Sequence, residues 1–154
     1  MKTIFIVDDN NTNLKMAKDA LDGSYRALAI QSAEKMFELI QKIKPDLILL
    51  DVEMPGMDGH TALVKLKENK EYAHIPVIFV TAYTSDALEA QALEEGAVDF
   101  ITKPFSPQVL RNRVANHLRV AELTGQLDML YQKLLAGEFK EAFALAKEYR
   151  TTGR

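Results

Sequence analysis

Several side chains able to do chemistry stand where an apolar run stops. Asp8 and Asp9 follow Thr3-Ile-Phe-Ile-Val7, and Asp51 follows Leu47-Ile-Leu-Leu50. Thr81 follows Ile75–Val80, and Lys103 comes just after Val98–Ile101. Each alone has a modest explanation. Asp8-Asp9-Asn10-Asn11 reads as a turn and helix cap, Thr81 as a loop hydroxyl, and Lys103 as a solvated charge. Together they are three carboxylates, a hydroxyl and an ammonium at four strand ends. Carboxylates so gathered repel and raise one another's pKa, and a divalent cation removes that conflict. With oxygen ligands, no cysteine and no histidine pair at ligand spacing, the cation indicated is Mg²⁺. A carboxylate beside such an ion can attack phosphorus, while ammonium and hydroxyl hold the phosphoryl oxygens.

The elements that must position these groups follow an alternating rhythm. The apolar runs Thr3–Val7, Tyr25–Ile30, Leu47–Leu50, Ile75–Val80 and Val98–Ile101 read as strands. They are continuous rather than alternating, which predicts burial on both faces. Between them lie helical spacings. Residues 12–22 carry Leu14, Ala17, Ala20 and Leu21 and close at Asp22-Gly23. A helix capped by Ser32 carries Met36, Phe37, Leu39, Ile40 and Ile43. Residues 59–69 and 85–95 are helical, and a helix with Pro107 in its first turn runs to about Leu123. The order is (βα)×5, the signature of a doubly wound parallel α/β sheet covered by helices on both sides. In such a sheet ligands bind beyond the carboxyl ends of the strands.

The Asp8-Asp9 pair, the Asp51-Val-Glu-Met-Pro-Gly-Met-Asp-Gly59 segment, Thr81-Ala82 and Lys103-Pro104-Phe105 together resemble a response-regulator receiver domain of two-component signalling. The resemblance covers residues 1 to about 122. It implies a flavodoxin-like five-stranded sheet with strand order 2-1-3-4-5. It implies that Asp51 accepts a phosphoryl group from a histidine kinase or phosphotransfer protein. Mg²⁺ would be held by Asp9, Asp51 and the backbone carbonyl of Glu53, with Asp8 acting through water or positioning the site. Lys103 would pair with Asp51 and then with the phosphate, Thr81 would swing toward it, and Phe100 would be the aromatic switch that turns inward. A cis Lys103-Pro104 bond is implied as well. Glu53 and Tyr83 occupy the positions that tune phosphoryl lifetime in the family; both are bulky, which suggests a long-lived phosphoryl group.

The bulk composition sets outer limits. The chain has 154 residues, 47% apolar and 27% charged, which suits a globular domain of ordinary size with a small appendage. A net charge of −3 gives no nucleic-acid signal, and no leader or membrane-length apolar run is visible. A reducing cytoplasm fits the absence of cysteine. His60, His74 and His117 are scattered and read as structural or solvated. Gly59 reads as relief for the backbone where a loop enters the next helix.

Residues 1–123 are assigned to the receiver and 124–154 to a helical C-terminal extension. Thr124-Gly125 is expected to end the fifth helix. Beyond it, Leu127, Leu130 and Leu134 continue the spacing of Val120 and Leu123. After Gly137, Phe139, Ala142, Phe143, Ala146 and Tyr149 form another stripe. Two short amphipathic helices in a hairpin are expected, either packed on the receiver's own surface or serving as a dimerisation or partner element. A faint likeness of Gly137–Ala142 to a tetratricopeptide turn falls far short of an array. The expected function is a phosphorylation-driven switch that catalyses only its own phosphorylation and dephosphorylation. It would alter partner binding or self-association, through the C-terminal helices or the face of the fourth helix, fifth strand and fifth helix. One alternative is a receiver cut from a longer protein with an output domain. Another is an aspartyl phosphatase, disfavoured because Met54 follows Glu53 where that chemistry wants Thr or Val.

Overall fold

The computed structural model describes residues 1–82 and 85–152. Its elements run β1 (Thr3–Val7), α1 (Asn11–Leu21), β2 (Arg26–Ile30), α2 (Ala33–Ile40), β3 (Leu47–Leu50), α3 (Gly59–Glu68), β4 (Val77–Thr81), α4 (Asp86–Glu94), β5 (Asp99–Thr102), α5 (Pro107–Leu135) and α6 (Phe139–Thr152). The strands form one parallel sheet in the order β2-β1-β3-β4-β5. This is the flavodoxin-like order the resemblance implied.

Strand alternation divides the core into two layers. Phe5, Val7, Ile48, Leu50 and Phe79 face one side and meet Met36, Ile40, Leu63 and Leu66 of α2 and α3. Ile4, Ile6, Leu47, Leu49, Ile78 and Val80 face the other and meet Leu14 and Leu21 of α1 with Leu110 and Val114 of α5. Both faces are therefore dry, which is why these strands read as unbroken apolar runs. A leucine truncated to alanine in either layer costs about 2–5 kcal/mol.

Register brings the reactive strand ends level. Val7 lies opposite both Ile30 and Leu50, so Asp8 and Asp51 leave the sheet side by side. Thr81 lies opposite Thr102, so Lys103 follows on the same edge. Helix caps fix where the chain turns back. The Asn10 side chain accepts from the N–H of Asn13, Ser32 from Lys35 and Asp58 from Thr61. The second helix ends at Ile40, so Ile43 packs on the core from beyond it.

Two compact units are present, Met1–Leu118 and Arg119–Arg154. The fifth helix does not stop at Thr124-Gly125, as the sequence suggested, but continues to Leu135. One glycine costs a helix only about 1 kcal/mol, which the flanking helix formers outweigh. The stop comes at Gly137, whose φ is 77°. There the N–H of Gly137 donates to Leu134 and that of Glu138 to Lys133, a Schellman closure that requires the left-handed residue. Within Arg119–Arg154, α6 is held to the second half of α5 by contacts such as the Tyr149 hydroxyl on the Met129 sulfur.

Candidate phosphoryl and cation site

Asp8 and Asp51 are carried out of the sheet by backbone bonds that fix them in place. The Asp8 N–H donates to Ile30 and the Asp51 N–H to Val7. Both carboxyl groups are then buried, Asp8 to 4% exposure and Asp51 to 6%, and Thr81 is 1% exposed. Asp9, one residue further out, is exposed. Beneath them the packing is nearly closed, with a void of only about 10 Å³ bounded by residues such as Ile6, Leu49, Val80 and Leu110.

Lys103 is the counter-charge. Its backbone N–H donates to the Thr81 carbonyl, and its ammonium reaches back over the sheet edge. The sequence paired it with Asp51. Its nearer partner is Asp8, at 2.5 Å, with Asp51 at 3.4 Å. Asp8 thus holds the ammonium and, with its other oxygen, accepts the N–H of Asn10. Asp51 keeps one oxygen for the N–H of Glu53 at 3.4 Å. Burial, and then the Asp8 carboxylate, push the Asp51 carboxyl up to about 6, against the pull of Lys103 and of the Glu53 N–H. Three carboxylates, two of them buried, thus share the one ammonium of Lys103.

Among the described residues, Asp8, Asp9 and Asp51 each offer an oxygen within 4.8 Å of the others. Three hard oxygen donors around an uncompensated negative edge fit a small divalent cation such as Mg²⁺. The Glu53 side chain is exposed and stands outside this cluster, over a shallow groove it shares with Met54, Pro55 and Asp58. Tyr83, the other lifetime position, lies outside the described residues.

Gly59 has a stronger reason than the one read from the sequence. Its N–H donates to the Val52 carbonyl at 2.8 Å. A Cβ there would strike the carbonyl of Asp51 and come within 2.8 Å of the Val52 Cα. The requirement is close approach, because its φ is not positive. The same loop is pinned by Glu34, whose carboxylate accepts the Met57 N–H at 2.8 Å. That bond holds the Glu34 carboxyl below the usual carboxylate range. Nothing in the sequence flags Glu34, since its partner lies 23 positions away.

Phe100 is buried, its ring edge-on to Phe79 at 6.4 Å. It already occupies an inward position. Phe79 also carries His60 at 5.3 Å, and His60 Nδ1 pairs with Glu95. His117 pairs with Asp99, as does Arg113 through two hydrogen bonds. Burial works against the Asp99 charge, yet these bonds and the Phe100 N–H hold its carboxyl below the usual range. His60 and His117 are thus structural, while His74 is exposed. Lys103-Pro104 is cis.

Comparison with known proteins agrees with this fold. A family model described as the response regulator receiver domain matches residues 4–115. Response regulator PleD of Caulobacter vibrioides is 38% identical over 117 residues, covering 75% of this chain and 26% of that protein. Polar-differentiation response regulator DivK of Brucella ovis is 35% identical over 106 residues, covering 68% of this chain and 86% of that one. The match spans only 26% of the length of one curated relative and 12% of another, a sensor histidine kinase of Ectopseudomonas mendocina. A solved CheY-like receiver domain protein from Methanospirillum hungatei superposes with a TM-score of 0.74 at 28% identity, covering 80% of this chain and 98% of that one.

Proposed function

The chain belongs to the response regulator receiver family, and on that footing we propose that Asp51 is the phosphoryl acceptor of a cation-dependent signalling switch. The carrying observation is the meeting of Asp8, Asp9, Asp51, Thr81 and Lys103 at one strand edge, with Asp51 left short of positive charge. Asp9 and Asp51, with Asp8 behind them and the Glu53 backbone beside them, are the residues that would hold Mg²⁺. Bound there, the ion neutralises the edge and supplies Lewis-acid stabilisation to phosphoryl oxygens.

A carboxylate oxygen of Asp51 forms the new bond to phosphorus as the bond to the donor imidazole nitrogen breaks, and the imidazole leaves with that electron pair. Lys103 is poised 3.4 Å from Asp51 to take a phosphoryl oxygen. Asp8 anchors the ammonium from behind, so Lys103 is held in place before transfer. Thr81, at the end of β4, offers its hydroxyl from the adjacent strand. Movement of Thr81 is read by Phe100 one strand away, and the inward ring seen here is the arrangement a phosphoryl group favours.

The donor is a histidine kinase or phosphotransfer protein. A groove of about 260 Å³ lined by Asn13, Met16, Pro104 and Phe105 opens beside Lys103 and suits the apolar flank of a donor helix. The protein acts in the cytoplasm as a switch rather than as an enzyme on external substrates, and p-nitrophenyl phosphate hydrolysis is expected to stay at background. The bulk of Glu53 beside Asp51 shields the phosphoryl group; Glu53→Ala is expected to speed dephosphorylation, and an unchanged rate would remove that role. Acetyl phosphate with Mg²⁺ tests the acceptor. The intact chain gains one phosphoryl mass, and Asp51→Asn gains none; labelling of that variant at another residue would refute the assignment.

A further inference from the structure

Strand β2 is an open edge set in a basic groove. Among the described residues only β1 pairs with it. The N–H of Arg26 donates to Lys2 and the carbonyl of Ile30 accepts from Asp8, both toward β1. In a parallel ladder bonding alternates along the strand, so the N–H and C=O of Ala27 and Ala29 point to the open side. Edges are commonly blunted by charge, proline or a bulge on the strand itself. Ala27–Ile30 has none of these, and Ala29 is small and exposed. Helices α1 and α2 pack on opposite faces of the sheet and frame this edge, enclosing about 700 Å³. Leu14, Lys15 and Lys18 form one wall, and Lys35, Leu39 and Lys42 the other. Four lysines thus meet one acid, Glu38, in a chain whose net charge is −3. Lys15 pairs with Asp19, while Lys18, Lys35 and Lys42 form no ion pair among the described residues. Lys35 also stands against local preference. It is the third residue of α2, its N–H capped by Ser32. Both the helix dipole and the capping-box pattern favour an acid there.

We propose that this groove binds an extended acidic segment of another protein, which adds to β2 as a sixth strand. This goes beyond the phosphoryl switch and uses none of its residues. The open backbone selects an extended peptide, because a strand supplies the alternating N–H and C=O groups that pair with those of Ala29, whereas a helix has already spent its own. The lysines select the charge of that peptide, since opposite potentials steer and fix a partner. Both walls mix leucine with lysine, so each is met by acid and apolar side chains together. Successive side chains of a strand point to opposite faces, and a Glu-Glu-Val-Val repeat therefore presents one acid and one valine to each wall. The groove beside Lys103 draws on Asn13 and Met16 of the same helix. At about 100° per residue these stand on the other side of α1 from Lys15 and Lys18. A phosphoryl donor and the acidic segment thus do not compete for one face of α1.

The probe is the fluorescent peptide Glu-Glu-Val-Val-Glu-Glu-Val-Val, blocked at both ends, titrated with the full chain at low salt. Fluorescence polarisation is expected to show saturable binding. Lys18→Glu/Lys35→Glu is expected to weaken it by about tenfold or more. Both lysines are exposed, and Lys35→Glu completes the capping box with Ser32, so the variant keeps its fold. Residue-resolved hydrogen exchange reads the added strand itself. Saturating peptide is expected to slow exchange of the Ala29 amide by about tenfold or more, because that N–H gains a partner. No saturation up to about 1 mM, equal binding by the charge-reversed variant, or binding that leaves Ala29 exchange unchanged would each overturn the proposal. Displacement of the peptide by an equal concentration of tripolyphosphate would overturn it too, and would assign the lysines to a phosphate-bearing ligand. Acetyl-phosphate labelling of the charge-reversed variant at Asp51 keeps the two readings apart, since either can fail while the other stands.

Discussion

The two units of this chain break opposite rules of solvation. Met1–Leu118 buries charge, with Asp8 and Asp51 closed off beside one ammonium. Arg119–Arg154 exposes grease, with Leu127 at 67% and Phe143 at 79%. Burying a carboxylate without full compensation is costly, and so is wetting a leucine strip. A sequence that tolerates either is holding a place for something. The departure in the first unit fits a small hard cation and a phosphoryl group; that in the second fits an apolar surface. The contrast teaches that the sign of a departure from good packing, buried charge or exposed apolar surface, points to the class of ligand that would relieve it.

The largest expected effect removes the single compensation in the buried edge. Lys103→Met leaves Asp8 and Asp51 facing each other with no ammonium. Phosphoryl transfer should slow by about 100-fold or more, as on losing one transition-state donor. Stability should fall by about 3 kcal/mol, the usual result of orphaning a buried charge. Stopped-flow labelling and denaturant unfolding read the two. Full-speed transfer would show that the burial of charge is incidental.

Next is Gly59→Ala, which is expected to cost about 1–3 kcal/mol by pushing on the Asp51 backbone. It should also lower the labelling rate, whereas an equally destabilising leucine truncation at Leu21 should not. This glycine shows where sequence reading reached and where it stopped. Continuous apolar runs and the residues ending them were legible, because strand burial and strand-end placement are local patterns. What Gly59 abuts was not legible, because a loop folds it onto Asp51. Glu34 on Met57, His60 on Glu95 and the choice of Asp8 over Asp51 by Lys103 are all contacts between distant positions that no local pattern encodes. The run of α5 through Gly125 was misread for a related reason. A glycine is a local stop signal, while the helix is held by its whole length.

A smaller effect sharpens the contrast through pH. The Asp51 carboxyl is raised from 3.8 to about 6 in the folded chain. Its contribution is fully present below the unfolded value and is lost as pH rises through the folded one. Without Mg²⁺, Asp51→Asn should therefore match the wild type near pH 3.5–4 and exceed it above pH 6, by about 1–2 kcal/mol after discounting for solvent screening. Thermal melts in chelator across that range would show the gap opening. A gap that is constant with pH would mean the charge is not what strains the edge.

The smallest effect lies in the exposed unit. Gly125→Ala adds a methyl group to open space on the outer face of α5 and should stabilise that helix by up to about 1 kcal/mol. Hydrogen exchange at residues 120–130 should slow, with phosphoryl labelling unchanged. A slower labelling rate would tie the two units together more closely than their separate chemistry implies.

Fluorine NMR with beryllofluoride and Mg²⁺ asks most directly whether Asp51, Lys103, Thr81 and the flanking acids form one receptor for a cation and a phosphoryl group. The wild type should give protein-bound fluorine resonances that vanish with chelator and never appear in Asp51→Asn. Bound resonances that persist in that variant, or none at all in the wild type, would contradict it.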